Sequence, residues 1–151
     1  LFGRRFLLVG GGRAPLNMVW VDHLVDALLL ASHRDGIAGE AFNLMDEVER
    51  RPPSVREVAS AIARAVGAPE PRLSLPYPVA LSLGAVVEKA TARFRPEATP
   101  PLSPFVVRIL TRDVIYDASK AKRLLGWEPR VGTLEGVRRE AEAYATRHPR
   151  A

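Results

Sequence analysis

Apolar positions dominate between Asn17 and Ala31, the stretch around which the rest of the chain is arranged. It opens with a β-favouring run, Met18 to Val21. It then turns at Asp22 into a segment carrying Leu24, Val25, Leu28, Leu29 and Ala31, with a thin polar stripe of Asp22, His23 and Asp26. A surface helix shows a wider polar face, so the pattern predicts a helix buried in a larger body, with Asp22 as its N-cap. A strand feeding directly into such a helix is the grammar of layered α/β folds.

The cleanest amphipathic period follows Ser54: Val55, Val58, Ala59, Ile62, Ala63 and Val66 recur at helical spacing. Glu57, three residues after Ser54, completes a capping box, and Gly67 with Pro69 beyond it closes the helix. Further helices are predicted over Val79–Phe94, from a Ser103 cap with Pro104 in the first turn, from Asp117 or Ser119 through Leu125 to Gly126, and over Leu134–Thr146. The tail after Thr146 is expected to fray. Short strands are predicted at Phe6–Val9, Ala41–Leu44, Arg72–Leu75 and Val114–Tyr116, with a loop at Gly36–Gly39 and a proline-rich one at Arg95–Pro104.

Gly10-Gly11-Gly12 after the first strand invites comparison with a dinucleotide loop, where glycines let a pyrophosphate approach the backbone. The third glycine position of that pattern is Pro15, and the next apolar run reads as a strand. No acidic residue stands at the end of a second βα unit. The glycines therefore read as a turn between two strands.

Composition narrows the class. A chain of 151 residues with 47% hydrophobic content is enough for one domain or part of a larger one. It has no cysteine, which excludes disulfide and thiol chemistry and leaves the cytoplasm as the default compartment. The net charge of +5 comes from a basic set in which only Lys89, Lys120 and Lys122 are not arginine. These basic residues are scattered (Arg4, Arg34, Arg64, Arg93, Arg123), with only short pairs such as Arg50-Arg51. A nucleic-acid partner is not expected, because it would need a clustered basic face on a known module. No apolar run reaches the roughly 20 residues of a membrane span, and Leu1-Phe2-Gly3 does not open a signal peptide. The start at Leu1 suggests the later part of a longer protein.

Two motifs lie about a hundred residues apart. The first is Val-Trp-Val-Asp-His-Leu-Val-Asp-Ala at 19–27, followed by Gly-Glu-Ala-Phe-Asn-Leu at 39–44. The second is Tyr-Asp-Ala-Ser-Lys-Ala-Lys-Arg-Leu-Leu-Gly-Trp-Glu-Pro at 116–129, with Leu-Glu-Gly-Val at 134–137. As an ordered pair they resemble the C-terminal half of an extended short-chain dehydrogenase/reductase, the group of NAD-dependent epimerases, dehydratases and 3β-hydroxysteroid-dehydrogenase-like enzymes. The resemblance implies an α/β fold in which the last strands of a Rossmann-type doubly wound sheet join a small mixed α/β substrate-binding lobe. It also implies NAD or NADP as cofactor of the intact enzyme. The glycine-rich βαβ unit and the catalytic Ser/Thr and Tyr-x-x-x-Lys would precede Leu1. Partners implied are a small-molecule substrate and the N-terminal half of the same enzyme, with a homodimer left open.

One motif competes with that reading. Tyr116 and Lys120 spell Tyr-x-x-x-Lys, with Ser103 upstream. As a catalytic pair they would share a helix face, the ammonium favouring the phenolate. Tyr116 instead ends a β-like run and the helix is capped after it, so no catalytic residue is assigned.

The epimerase relatives place an arginine just before the first motif, where this chain has Leu16, and an aspartate where it has His23. Those departures lean toward the reductase and steroid-dehydrogenase-like branches. Substrate contact is expected from Asn17 and Arg13 at the mouth of the first motif. Arg112 and Asp113 stand just before the second, with Arg108 one helical turn back, and Tyr77 lies between two prolines. His23 and Asp26 lack the further ligands a metal would need. The rival readings are a binding module that keeps the fold without the chemistry, and a membrane-surface contact through the apolar residues from Val79 to Val87.

Overall fold

The computed structural model describes residues 7–46 and 51–148. Phe6, Arg4, Arg50, the start at Leu1 and the tail beyond His148 lie outside the described residues. The chain divides into two compact units: Leu1–Ala14 with Ser54–Asp113, and Pro15–Pro53 with Val114–Ala151.

The first unit holds a two-stranded parallel sheet. β1 (Leu7–Val9) pairs with β2 (Leu73–Leu75) in the register Leu7–Leu73, Leu8–Ser74 and Val9–Leu75. The parallel pairing corrects the expectation at the glycines. Gly10–Gly12 form a tight turn leaving β1, and no paired strand follows it. The sequence shows the glycines but not the partner, which lies more than sixty residues on.

With α1 kept for the helix at Val21–Ser32, the first unit's helices are α2 (Val55–Ala65), α3 (Tyr77–Phe94) and α4 (Pro104–Ile109). The α2 capping box is formed: the Ser54 N–H donates to Glu57 Oε2 at 2.7 Å and the Glu57 N–H returns to Ser54 Oγ at 3.2 Å. Ser103 caps α4, accepting the Val106 N–H at 3.3 Å. α3 begins two residues earlier than expected, after Pro76, because Pro78 fits a helical first turn. Gly84 on α3 lets α4 approach closely; a Cβ there would sit 2.9 Å from the Ser103 carbonyl carbon. The core joins Val9, Ala80 and Val107, with Leu75, Leu81 and Leu102 packed on it.

The second unit is built from α1 (Val21–Ser32), α5 (Ser119–Leu125) and α6 (Thr133–Arg147). Its core is Ala27, Ala118, Ala121, Leu125 and Trp127, with Val19, Ile37, Phe42 and Leu44 against it. Gly126 ends α5 at φ 70°, the left-handed value that glycine takes without steric cost.

α1 departs most from expectation. Its N-cap is Trp20, and Asp22 instead accepts the Trp20 indole N–H at 3.0 Å. The helix buries His23 and Ala27, whereas Leu28 is 62% and Leu29 55% exposed. Periodicity identified the helix but not the face that packs. That face is chosen by a small residue fitting against α5 and by the hydrogen bonds of His23.

Three predicted strands carry no ladder: Met18–Val21, Ala41–Leu44 and Val114–Tyr116. Side chains replace it. Asn17 Nδ2 donates to the Val114 carbonyl at 2.8 Å and Asn17 Oδ1 accepts the Tyr116 N–H at 3.1 Å, the two bonds a neighbouring strand would supply. Asp46 does the same for the other segment, taking the Trp20 N–H on Oδ2 at 2.7 Å while its own N–H donates to the Met18 carbonyl at 3.0 Å.

Candidate functional site

The first unit contains a cavity of about 570 Å³, within the usual size range of small-molecule sites. Its floor and rim come from the end of β1 and the glycine turn, from the start of α3, and from the end of α4 with the residues after it. Val9, Gly10, Arg13, Ala14, Tyr77, Arg108, Leu110, Thr111 and Arg112 line it.

Local sequence explains the shape. All three glycines have positive φ (58°, 78° and 64°), so the chain reverses within one turn after β1. The turn is held from both sides: the Gly11 N–H donates to Ser74 Oγ at 2.8 Å, and Arg56 Nε donates to the Gly11 carbonyl at 2.8 Å. Gly12 lies against the start of α2, where a Cβ would be 3.1 Å from the Arg56 nitrogen. Absence of a side chain at Gly11 leaves room for Arg13, whose Nε and Cγ lie 3.4 and 3.5 Å from where a Cβ would stand. At the α4 end, Thr111 turns its hydroxyl back to the Val107 carbonyl at 2.7 Å, closing the helix and setting the start of the loop that carries Arg112.

Four of the six residues expected at a substrate therefore come together here: Arg13, Tyr77, Arg108 and Arg112. Asp113 does not line the cavity. Asn17 belongs to the second unit, where both ends of its amide are bonded to backbone. The sequence reading passed over Val9, Ala14 and Leu110, which have no chemistry to flag them, and Thr111, whose hydroxyl nothing nearby in the sequence singles out, and it read Gly10 only as a turn.

Backbone N–H groups at the glycine turn and against it are already taken. The Gly11 N–H is used by Ser74, and the helix start that lies against Gly12, that of α2, already has partners for its first N–H groups: Val55 donates to the Ala14 carbonyl at 3.0 Å and Glu57 to Ser54 Oγ at 3.2 Å. Tyr116 and Lys120 do not share a helix face either. Tyr116 lies before α5, while Lys120 binds the Glu40 carboxylate and the Ala41 carbonyl and sits 5.1 Å from the centre of the Phe42 ring. The Lys120 ammonium holds the Glu40 carboxyl below the usual carboxylate range. Among the described residues no group of three or more His, Asp or Glu side chains could hold a metal ion.

The second unit contains a buried polar centre. His23 Nδ1 donates to Asp46 Oδ1 at 2.7 Å, and His23 Nε2 accepts the Arg130 N–H at 3.1 Å. An acceptor at Nε2 fixes the neutral imidazole with its proton on Nδ1, a tautomer assigned here from its partners. The Trp127 indole N–H donates to the His23 carbonyl at 2.8 Å. With His23 and Asp46 exposed by only 4% and 3%, no open face remains for a ligand. The centre is structural, and it joins residues of the two sequence motifs.

Similarity to known proteins agrees with those motifs. A 2-alkyl-3-oxoalkanoate reductase from Stenotrophomonas maltophilia is 29% identical over 89% of this chain and 41% of its own length. A UDP-glucose 4-epimerase from Mycolicibacterium smegmatis is 31% identical over 95% of this chain and 36% of its own. The 3beta-hydroxysteroid-dehydrogenase/decarboxylase isoform 1 of Arabidopsis thaliana is 25% identical over 95% and 34%. These relatives agree with the resemblance of the two motifs to the extended short-chain dehydrogenase/reductases. The chain spans about two fifths or less of their length. No family model matches it. Its fold is that of the crystal structure of gox2253, with a TM-score of 0.62 at 22% identity, covering 97% of this chain and 40% of the other. An α/β architecture is thus present here as a partial, Rossmann-like set of elements. No described helix is long and apolar enough to cross a membrane.

Proposed function

We propose that this chain is the substrate-binding portion of an NAD(P)-dependent oxidoreductase or epimerase, acting on a carbinol or carbonyl carbon. The observation that carries the reading is the cavity in which Arg13, Tyr77, Arg108 and Arg112 meet, in a chain whose relatives are reductases, dehydrogenases and an epimerase. The chain provides the wall and the polar grip for a substrate. Binding of NAD or NADP, and proton transfer to or from the reacting oxygen, are assigned to sequence beyond this chain. What supports this assignment is that the Gly11 N–H is already used by Ser74 and that Tyr116 lies before the helix that carries Lys120.

On this reading the isolated chain neither binds NAD(P)H tightly nor catalyses hydride transfer. Titration of the chain with NADH and NADPH, followed by nicotinamide fluorescence, should show no saturation at low concentration. A longer protein containing the chain should oxidise or reduce nicotinamide in the presence of hydroxy or oxo compounds. Tight binding of NAD(P)H to the chain alone would overturn the reading. A longer protein without redox activity would leave a ligand-binding module that keeps the fold.

A further inference from the structure

We infer that the cavity takes a compact anionic ligand, a carboxylate or a phosphate monoester carried on a short apolar body. This rests on the substrate-binding reading above only in taking that ligand to be the substrate.

Charge is the first argument. Arg13 leaves the glycine turn, Arg108 stands on α4 and Arg112 on the loop after it, so three separate pieces of backbone bring arginines to the lining of one cavity. No acidic residue lines it. Among the described residues, none of the three has a carboxylate within ion-pair distance. Arg138 and Arg139 do, sharing Glu135, and Arg64 reaches Glu70. Three like charges around one concavity repel each other, and an anion placed among them removes that cost. Arginine also selects the headgroup, because its planar fork offers paired N–H donors that match carboxylate and phosphate oxygens.

The rest of the wall sets the body of the ligand. Val9, Leu110 and the Tyr77 ring present apolar surface, which favours a hydrocarbon portion over a heavily hydroxylated one. A cationic ligand is excluded by charge. A neutral one would leave the guanidinium groups without the partner that their convergence suits.

The test uses the full 151-residue chain, titrated by calorimetry and by amide NMR with octanoate, octyl phosphate, 1-octanol and UDP-glucose. Octanoate or octyl phosphate should bind at least about tenfold more tightly than 1-octanol, and added salt should narrow the gap. Whichever acid binds better names the headgroup. Amide shifts should fall on Arg13, Thr111 and Arg112. Arg108→Gln and Arg112→Gln should each weaken binding about tenfold, a loss typical of one charge-assisted hydrogen bond. Both side chains are exposed, so circular dichroism should be unchanged, and Arg138→Gln should leave affinity as it was. Equal binding of octanol, no binding of either acid, affinity indifferent to both arginine substitutions, or stronger binding of UDP-glucose would each overturn the inference. If the acids fail but a longer protein reduces a neutral ketone with NAD(P)H, the substrate-binding reading survives and this inference falls. If the acids bind and the longer protein has no nicotinamide chemistry, the reverse holds.

Discussion

Polar groups are handled in opposite ways in the two units. In the second, His23 and Asp46 are buried and bonded: imidazole to carboxylate, carboxylate to the Trp20 N–H, and ring Nε2 to the Arg130 N–H. In the first, Arg13, Arg108 and Arg112 surround a cavity with no carboxylate among them. A closed network fixes one backbone arrangement, since each missing bond would leave a buried polar atom unsatisfied. An open set fixes little by itself and is free to meet a ligand. Polar side chains therefore specify the fold in one place, and in the other are left open for the ligand proposed above.

The sharpest way to break this contrast is at His23. His23→Ala should leave Asp46 Oδ1 and the Arg130 N–H without their buried partner and cost about 3–5 kcal/mol, read as a lower urea midpoint. Asp46→Asn keeps an acceptor for the Trp20 N–H and should cost less, about 1–2 kcal/mol. Equal, small losses from both would show that the centre does not hold the unit together. Gly84→Ala comes next. Its methyl would meet the Ser103 backbone, so overpacking of about 1–3 kcal/mol is expected. The shift of α4 should also weaken octanoate binding, linking helix packing to the arginine cluster. Ser54→Ala removes the α2 cap and should cost about 1 kcal/mol, seen as faster hydrogen exchange in the first turn of that helix.

The smallest effect is on α6. Hydrogen bonds from Arg138 and Arg139 bring Glu135 down from 4.5 to about 2. Because the folded value is the lower one, the contribution is fully present above pH 4.5 and fades as pH falls toward 2. The carboxyl group is open to solvent, so only a slight loss of α6 helicity should follow. An NMR titration of Glu135 should show the low midpoint, and Arg138→Gln should move it back toward 4.5.

Much of the local structure was legible. The Ser54–Glu57 box, the Ser103 cap and the left-handed Gly126 follow from residues within a few positions of each other. The α1 helix was legible too, but not which side of it would be buried. The strand expectations failed at Met18–Val21, Ala41–Leu44 and Val114–Tyr116, where β-favouring residues occur but no ladder partner is present among the described residues. A strand is defined by its neighbour, and a short apolar run does not name one. At the cavity, chemistry-bearing side chains could be nominated from the sequence, whereas Val9, Ala14 and Leu110 enter only because the chain brings them there.

The sequence by itself determined where the helices run, the caps at Ser54, Ser103 and Gly126 and the glycine turn, because each rests on short-range sterics. It did not determine the caps of α1 and α5, where Trp20 and Ala118 stand in place of the expected Asp22 and Asp117 or Ser119. Tertiary structure alone decided that Asn17 would serve as a substitute strand, that His23 would be buried while leucines stay exposed, and that three arginines would face one cavity. Those outcomes depend on contacts between residues far apart in the chain, whose free energy exists only once the backbone has brought them together.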